Sequence, residues 1–260
     1  SDERFPSGLA QMAKKIRDNG VMAGIWLAPF SVSSQANLAK DHPEWFLNEK
    51  GQLKRIPFFS SLVDKLFSDL NFVVPDLSNG GLENFLKKVL RKFVAEGYQM
   101  YKLDFLYPIC FSNNAAVSQT RAQALRRGVE IIRQIVGPDS YILAAITPLS
   151  PLVGLVDSMR LGIDGLVPNF RNFPIIKTYV NNWMLETNLR SCALRAFLNQ
   201  IVWSGDGDAM VFGGDTGVSQ QIIDKHIRFV LDNKLPRWVG DDLSRLTESQ
   251  WDKLRNVFAN

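Results

Sequence analysis

Two aspartates stand out because each lies in a short apolar segment that also carries one basic residue. The segment YKLDFLYP holds Lys102 and Asp104, and the segment MRLGID holds Arg160 and Asp164. Successive side chains of a β-strand point to opposite faces, so each basic residue shares a face with its aspartate. Carboxylates held in this way are groups that general acid–base and nucleophilic catalysis use. What they can do depends on whether the charged face looks inward or into solvent.

The alternative to an inward carboxylate is a half-exposed strand with an ordinary salt bridge. Either segment taken alone fits both interpretations. Two strands of this kind in one chain favour the inward arrangement, because perturbed carboxylates cluster at functional sites. A third apolar segment, IVWSGDGD, ends with Asp206 and Asp208 and points the same way.

The residue counts exclude several other kinds of chemistry. Cysteine and histidine each occur twice, as Cys110, Cys192, His42 and His226. These numbers are too small for a disulfide scaffold, a four-cysteine zinc site or a histidine-rich metal cluster. One Ser-His-Asp triad is arithmetically allowed, but the chain has no G-x-S-x-G motif. We therefore expect carboxylate chemistry that needs neither a metal nor an organic cofactor.

Composition also bears on the partners of the protein. The 260 residues are 46% hydrophobic and 22% charged, which is typical of a globular chain with one large core. The net charge of +4 comes mostly from helical repeats such as LKKVLRKF, which indicate a solvated helix face rather than a nucleic-acid stripe. No apolar run approaches the roughly 20 residues that a bilayer requires. We expect no nucleic-acid or membrane partner, and oligomeric state and cellular location stay open.

Helical and strand-like patterns alternate along the chain. The segment SGLAQMAKKIRDNG begins with a plausible N-cap at Ser7, ends at Gly20, and is followed by the apolar GVMAGIWLAPF. The same order recurs: LRSCALRAFLNQ is predicted as a helix, DSMRLGIDGLVP and PRWVGDD are predicted as strands, and TESQWDKLRNVF is predicted as a closing helix with Thr247 and Gln250 at capping-box spacing. Such alternation predicts an α/β fold with a mostly parallel sheet covered by helices.

Six strands are predicted, and the charged residues at their ends decide between two architectures. No strand is followed by a G-x-G-x-x-G or Walker loop, which disfavours an open nucleotide-binding sheet. A barrel gathers the carboxyl ends of its strands around one mouth, where catalytic groups sit. We therefore predict a (β/α)8 TIM-barrel type of fold, with six of its eight strands in this chain.

Five motifs in order along the chain resemble one known family. They are GIWLAPF, HPEWFL, YKLDFLYP, AAITPLSPLVGLVDSMRLGIDGLVP and WSGDGD, and they are similar to those of the melibiase-type α-galactosidases, glycoside hydrolase family 36. The K-x-D-F and R-x-G-x-D motifs are the specific part. The resemblance implies that residues 1–260 form a catalytic barrel that lacks its first two strands. The D-D-G-W motif and the flanking β-domains of the family are then expected to lie outside this sequence.

The resemblance also implies roles for five residues. Asp104, in the K-x-D motif, corresponds to the catalytic nucleophile, and Asp164, in the R-x-G-x-D motif, to the general acid/base. Trp26, Lys102 and Arg160 correspond to positions that line the sugar subsite. These assignments imply a retaining α-glycosidase, best matched to an α-galactosidase.

The chemistry of such an enzyme makes separate demands on the two aspartates. A retaining glycosidase needs two carboxyl groups about 5 to 5.5 Å apart, one ionised and one protonated. We expect Lys102 to favour the ionised form of Asp104. Pairing of Arg160 with Asp164 would favour the wrong form, so Arg160 is expected to address substrate hydroxyls or the nucleophile side. His42, in HPEW, is expected to be structural because it has no histidine partner.

Alternative functions from other classes stay open. The expected partner is an α-galactoside oligosaccharide or glycoconjugate, which a transglycosylase of the raffinose-synthase kind would also take. A non-catalytic fragment with at most carbohydrate binding is the other alternative, because a barrel without two strands has open edges. One departure from the family lies at Ala145, where a cysteine is usual three residues before Pro148.

Overall fold

The computed structural model describes residues 4–56, 72–111, 119–166, 174–213 and 216–259. The chain divides into two compact units, Ser1–Asp157 and Ser158–Asn260. Both units combine helices with parallel strands, which confirms the mixed α/β class. Of the helices that the structure describes, none is both long and apolar enough to span a bilayer.

The first unit alternates helices and strands. Its elements are α1 (Gly8–Asp18), β1 (Gly24–Leu27), β2 (Val32–Ser33), α2 (Asn37–Asp41), β3 (Asn48–Glu49), β4 (Gln52–Leu53), β5 (Arg55–Ile56), β6 (Phe72–Val73), α3 (Gly80–Ala95), β7 (Met100–Leu103), α4 (Arg121–Val136) and β8 (Tyr141–Ala144). Strand β7 lies between β1 and β8, and both pairings are parallel. The predicted order of helix and parallel strand is therefore present in this unit.

The central strand β7 shows the alternation that its sequence predicts. Tyr101 and Leu103 are completely buried, whereas Met100 and Lys102 are partly exposed. Trp26 of the neighbouring strand lies in register with Lys102. The pleat therefore places the apolar pair on one face of β7 and Lys102 beside Trp26 on the other.

Helices α3 and α4 begin and end where local chemistry requires it. The Asn79 side chain accepts from the backbone N–H of Gly81 at the start of α3. Thr120 and Gln123 form a reciprocal capping box at the start of α4. Gly128 within α4 is needed for close packing, since a Cβ there would lie 2.6 Å from the Phe30 ring. The caps therefore set where the two helices begin, and Gly128 lets α4 pack closely against Phe30.

Two small antiparallel sheets interrupt the first unit, and the sequence analysis did not predict them. Strand β6 pairs with both β2 and β5, and β3 pairs with β4. Phe46 and Val73 are buried in a small core of their own. Strands of two residues carry too little periodicity to be recognised in a sequence.

The second unit has the same alternation. Its elements are β9 (Ser158–Arg160), α5 (Pro174–Ala193), β10 (Ser204–Asp206), α6 (Gln220–Asp232) and α7 (Glu248–Ala259). Strands β9 and β10 are parallel, with Arg160 opposite Asp206. The capping box of α7 is confirmed, because Thr247 and Gln250 exchange side-chain and backbone hydrogen bonds.

The predicted number of six strands is not confirmed. Five parallel strands form among the described residues, namely β1, β7, β8, β9 and β10. The sixth predicted segment, PRWVGDD, contributes a single parallel bridge between Met210 and Val239. The predicted strand that begins at Asp157 ends at Arg160 as β9, and its last two residues lie outside the described ones.

Helix α5 also departs from the prediction. We expected a helix over LRSCALRAFLNQ, but α5 runs from Pro174 to Ala193 and a short 3₁₀ turn follows at Ala196–Leu198. The apolar residues of α5 lie on opposite sides, with Tyr179 exposed and Leu185 buried. A helix without a single apolar stripe lacks the periodic signal that predictions rely on.

Candidate active site

Asp104 follows strand β7 directly and is held by backbone and side-chain donors. Its own N–H donates to the carbonyl of Leu27 at 2.8 Å, which anchors it to the neighbouring strand. Its Oδ2 accepts from Trp26 Nε1 at 3.0 Å, and its Oδ1 accepts from the Phe105 N–H at 2.8 Å. The residue is 7% exposed. Both carboxylate oxygens are thus oriented by N–H donors at the end of the strand.

The backbone beside Asp104 adopts an uncommon conformation. Phe105 has a φ of 47°, in the left-handed region that bulky residues rarely occupy. The Ser31 hydroxyl donates to the Phe105 carbonyl at 2.7 Å and supports this turn. Such conformations persist when their surroundings hold them in place, and they cluster at functional sites. Ser31 therefore helps to aim the Asp104 carboxylate.

Trp26 combines a fixed indole nitrogen with an accessible ring. The residue is 53% exposed although its Nε1 donates to the buried Asp104. A ring anchored in this way keeps an apolar face available for a ligand while its polar atom stays satisfied. This arrangement suits the ring of a sugar, whose C–H groups are apolar.

Lys102 does not pair with Asp104. The two donors to the Asp104 carboxylate are Trp26 and Phe105, and no ion pair between Lys102 and Asp104 occurs among the described residues. The expectation that Lys102 favours the ionised form of Asp104 stays a prediction. Side chains two residues apart on one strand face start about 6.5 to 7 Å apart, a distance that a lysine spans only by bending along the strand.

Arg160 lies at the centre of a buried cluster in the second unit. Its side chain is 2% exposed, and each of its three nitrogens contacts a different carboxylate. Nε lies 2.7 Å from Asp206 Oδ2, Nη2 lies 2.8 Å from Asp208 Oδ1, and Nη1 lies 3.1 Å from Asp164 Oδ1. We call these four residues the arginine–aspartate cluster.

The cluster corrects one expectation. We expected Arg160 to avoid Asp164, but the two form an ion pair. Asp164 lies four residues beyond Arg160, past the end of β9, so the chain has room to bring the carboxylate back to the guanidinium. Burial opposes the charged form of Arg160, but the neighbouring carboxylates, those of Asp206 and Asp208 above all, outweigh it and raise the Arg160 pKa above its ordinary value.

Asp208 ties the end of β10 to the turn that follows β9. Its backbone N–H donates to Asp206 Oδ1 at 2.8 Å, and its φ of 74° lies in the left-handed region. Its Oδ1 accepts from the Ala209 N–H, and its Oδ2 accepts from the Gly165 N–H, both at 2.7 Å.

Across the described part of the chain, no group of three His, Cys, Asp or Glu side chains is arranged to hold a metal ion.

The Gly207 carbonyl, between Asp206 at the end of β10 and Asp208 just beyond it, is fixed by two buried donors. His226 Nε2 lies 3.0 Å from this oxygen, and Asn188 Nδ2 donates to it at 2.9 Å. Burial lowers the His226 pKa, so the ring is neutral and Nε2 carries the donated proton. A Cβ at Gly162 would lie 1.9 Å from Asn188 Oδ1, so this position must be glycine.

Two further residues from the sequence analysis lie outside these groups. His42 stacks on Trp45 with ring centroids 3.9 Å apart, and its Nδ1 lies 3.3 Å from Glu44 Oε1. These contacts are all with residues close to His42 in sequence, and its structural role stays a prediction. Ala145 is buried after β8, and its N–H donates to the Leu103 carbonyl at 2.8 Å.

The structure brings together Trp26 and Asp104 in the first unit and Arg160 and Asp164 in the second. Sequence reasoning gave no role to Ser31, Asn188 or His226, which come from distant parts of the chain and carry no motif. Asp206 and Asp208 had a signal, since two carboxylates followed a predicted strand. Their contact with Arg160 was not predicted.

Sequence comparison places the first part of the chain beside known glycosidases. A family model described as Melibiase matches residues 1–95. The alpha-galactosidase Mel36A of Lactobacillus acidophilus is 32% identical over 50 residues, which are 19% of this chain and 7% of that protein.

Structural comparison extends the likeness over the whole chain. TtGalA, an alpha-galactosidase from Thermus thermophilus in complex with stachyose, gives a TM-score of 0.76 at 23% identity, over 99% of this chain and 54% of that one. Its complex with p-nitrophenyl alpha-D-galactopyranoside gives 0.75 at 25% identity, over 99% and 51%. A GH36 alpha-galactosidase variant, AgaA A355E D548N from Geobacillus stearothermophilus in complex with raffinose, gives 0.63 at 16% identity, over 98% and 32%.

This chain therefore spans about half the length of the Thermus enzyme. These neighbours are α-galactosidases, and their likeness to this chain covers the alternating strands and helices of both units. Family model, sequence match and structural neighbours agree, and they confirm the resemblance of this chain to the melibiase-type α-galactosidases of glycoside hydrolase family 36.

Proposed function

We propose that this protein is a retaining α-galactosidase that hydrolyses terminal α-galactosides of oligosaccharides or glycoconjugates. The observation that carries the proposal is the geometry of Asp104, a buried carboxylate whose two oxygens are each oriented by an N–H donor beside an accessible indole. The likeness to α-galactosidases supports the same class of reaction.

Asp104 is the nucleophile in this proposal. A nucleophile must present one oxygen to the anomeric carbon in a fixed direction, and preorganised donors supply that orientation. In the first step an Asp104 oxygen forms a bond to the anomeric carbon as the bond to the leaving oxygen breaks. The product is a covalent galactosyl-aspartate with inverted configuration at that carbon.

Asp164 is the general acid and then the general base. In the first step it gives a proton to the leaving oxygen, and in the second it takes a proton from the attacking water. The water opens the galactosyl-aspartate and inverts the carbon again, so the α configuration is retained. The Asp164 side chain is 45% exposed, which suits a group that must meet both a leaving group and water.

The substrate-binding roles differ in their support. Trp26 offers an accessible ring, and Lys102 is partly exposed on the same face of the sheet, where its three N–H donors can reach sugar hydroxyls. Arg160 is almost fully buried and engaged by three aspartates. Its contacts favour a role in holding Asp164 more than a role at the sugar.

Substrates carried by structural neighbours define the test. Stachyose, raffinose and p-nitrophenyl alpha-D-galactopyranoside are named with those neighbours. Turnover of nitrophenyl α-galactoside should exceed that of the matching α-glucoside and α-N-acetylgalactosaminide. Proton NMR of the first-formed sugar should show the α anomer before mutarotation.

Each other outcome has a defined meaning. Preference for the glucoside or the N-acetylgalactosaminide contradicts the galactosidase assignment, and first release of the β anomer contradicts retention. Transfer of galactose to sucrose in place of water would indicate the transglycosylase. Sugar binding without turnover would indicate a non-catalytic protein.

A further inference from the structure

The arginine–aspartate cluster holds more negative than positive side chains. Asp206 is 1% exposed and the Arg160 side chain 2%, so water screens their charges only weakly. Asp206 and Asp208 already supply two carboxylates to the single positive charge of Arg160. An ionised Asp164 would add a third negative charge to the same buried guanidinium, and like charges at close range disfavour further ionisation.

The geometry divides the guanidinium among these carboxylates. Asp206 and Asp208 approach Nε and Nη2 at 2.7 and 2.8 Å, whereas Asp164 approaches Nη1 at 3.1 Å. A two-pronged arginine–carboxylate pair is the arrangement that would hold a carboxylate most firmly ionised. Here the three nitrogens are shared among three aspartates, and the longest contact belongs to Asp164.

We propose that Asp206 and Asp208 are positioning residues for the general acid: they engage two nitrogens of Arg160 and counter its charge, which keeps the proton on Asp164. The inference rests on the proposed role of Asp164 and extends it to two residues outside the reacting pair. It also explains how an acid can lie in contact with an arginine and still be protonated.

The surrounding residues hold these two carboxylates in place. Asp208 Oδ2 accepts a hydrogen bond from the backbone N–H of Gly165, the residue that follows Asp164. This hydrogen bond links Asp208 to the backbone beside the acid. The Gly207 carbonyl is held by His226 and Asn188 from two different helices. The Asp206–Asp208 turn is thus held in one conformation, and its carboxylates do not have to rearrange to contact Arg160.

Other titratable groups lie beside the cluster in the described part of the second unit. His226 is neutral because burial lowers its pKa, and Cys192 is a neutral thiol because burial raises its pKa to about 12. Arg195 donates to the Leu161 carbonyl at 2.5 Å. Among the described residues, the carboxylates that contact Arg160 are those of Asp206, Asp208 and Asp164.

The direct test is a carboxyl ¹³C NMR titration of the full chain labelled at aspartate. The Asp164 signal is identified by its loss in Asp164→Asn. In the wild-type protein Asp164 should titrate above the ordinary range of aspartate. In Asp208→Asn it should titrate about one pH unit lower, because one counter-charge is gone and Arg160 is freed. Asp206→Asn is the second variant and should shift it in the same direction.

A matched control tests whether the loss of an arginine–aspartate pair elsewhere in the protein also shifts the Asp164 titration. Asp157 pairs with Arg133 at 2.5 Å in the first unit and also accepts from the Ile142 N–H. Asp157→Asn removes similar contacts and should leave the Asp164 titration unchanged. A wild-type Asp164 that titrates within or below the ordinary range, or no downward shift in either cluster variant, would overturn the proposal.

Kinetics provide a second readout that a purely structural role would not move. Asp208→Asn should slow raffinose hydrolysis at least tenfold more than nitrophenyl α-galactoside hydrolysis, since only the poor leaving group needs the proton. Equal losses for both substrates would count against the positioning role. If the NMR shifts occur but wild-type protein turns over no α-galactoside, the electrostatic role stands and the proposed function fails.

Discussion

The two carboxylates with proposed catalytic roles are held in opposite ways. Asp104 is buried and accepts from an indole and a backbone N–H, whereas Asp164 is partly exposed and contacts a buried guanidinium. In sequence the two look alike, since each follows a basic residue in an apolar segment. The difference shows that motif spacing does not reveal which basic residue reaches its aspartate.

Strand geometry explains the difference. Lys102 and Asp104 are two residues apart, and the Asp104 carboxylate is engaged by Trp26 and Phe105 instead of by Lys102. Arg160 and Asp164 are four residues apart, and the chain leaves β9 between them, so the carboxylate can return to the guanidinium. The closer pair in sequence is the one without an ion pair.

Among changes that leave both carboxylates in place, the largest effect on this comparison is expected from Trp26→Phe. The change keeps an aromatic ring but removes the N–H that donates to Asp104 Oδ2. A hydrogen bond to a charged group contributes about 1.5 to 3 kcal/mol, so kcat/KM for nitrophenyl α-galactoside should fall about 10- to 100-fold. Steady-state kinetics measure the loss.

Trp183→Phe is the matched control for this prediction. Trp183 lies on α5 in the second unit and is about half exposed, so its change should leave kcat/KM unaltered. An unchanged kcat/KM in Trp26→Phe would show that the indole N–H does not orient Asp104 for reaction.

A smaller effect, on stability alone, is expected from His226→Gln. Burial lowers the His226 pKa below the 6.5 of an exposed histidine, so the unfolded state binds the proton more readily than the folded state. The free energy of unfolding should therefore be highest, as far as His226 is concerned, above pH 6.5. It should fall as the pH drops below 6.5, because the unfolded state then takes up the proton. A glutamine amide can still donate to the Gly207 carbonyl but does not titrate.

Urea unfolding between pH 5 and 8 tests this prediction. The wild-type free energy of unfolding should decline more steeply below pH 6.5 than that of His226→Gln. Identical pH profiles for both proteins would mean that His226 is not the buried neutral donor that holds the Asp206–Asp208 turn.

Much of the fold was accessible from the sequence because it depends on local patterns. Alternation in β7 separated Tyr101 and Leu103 from Lys102, and Thr247 with Gln250 marked the start of α7. The two-residue antiparallel strands and helix α5 were missed, since neither carries a clear period. The number of barrel strands stays a prediction.

For the candidate site, the sequence could predict which residues take part but not which of them contact one another. The two motifs located Asp104 and Asp164, and a known family assigned their roles. The Trp26 donor comes from 78 positions away in the chain, and Asp206 comes from 46 positions beyond Arg160. Which donor contacts each carboxylate depends on small differences in distance between residues that are far apart in the chain. No local sequence pattern encodes these distances.

The central claim is the division of labour between Asp104 and Asp164, and azide rescue tests it most directly. Asp104→Ala cannot form the galactosyl-enzyme, so it should lose turnover of every substrate and, with azide, give β-galactosyl azide by a single displacement. Asp164→Ala should still be galactosylated by nitrophenyl α-galactoside and then stall, and azide should release α-galactosyl azide from the covalent intermediate. Asp157→Ala, which removes an aspartate paired with Arg133, should need no rescue. The α-azide from the Asp104 variant with the β-azide from the Asp164 variant would reverse the roles, and full activity in either variant would remove that residue from the mechanism.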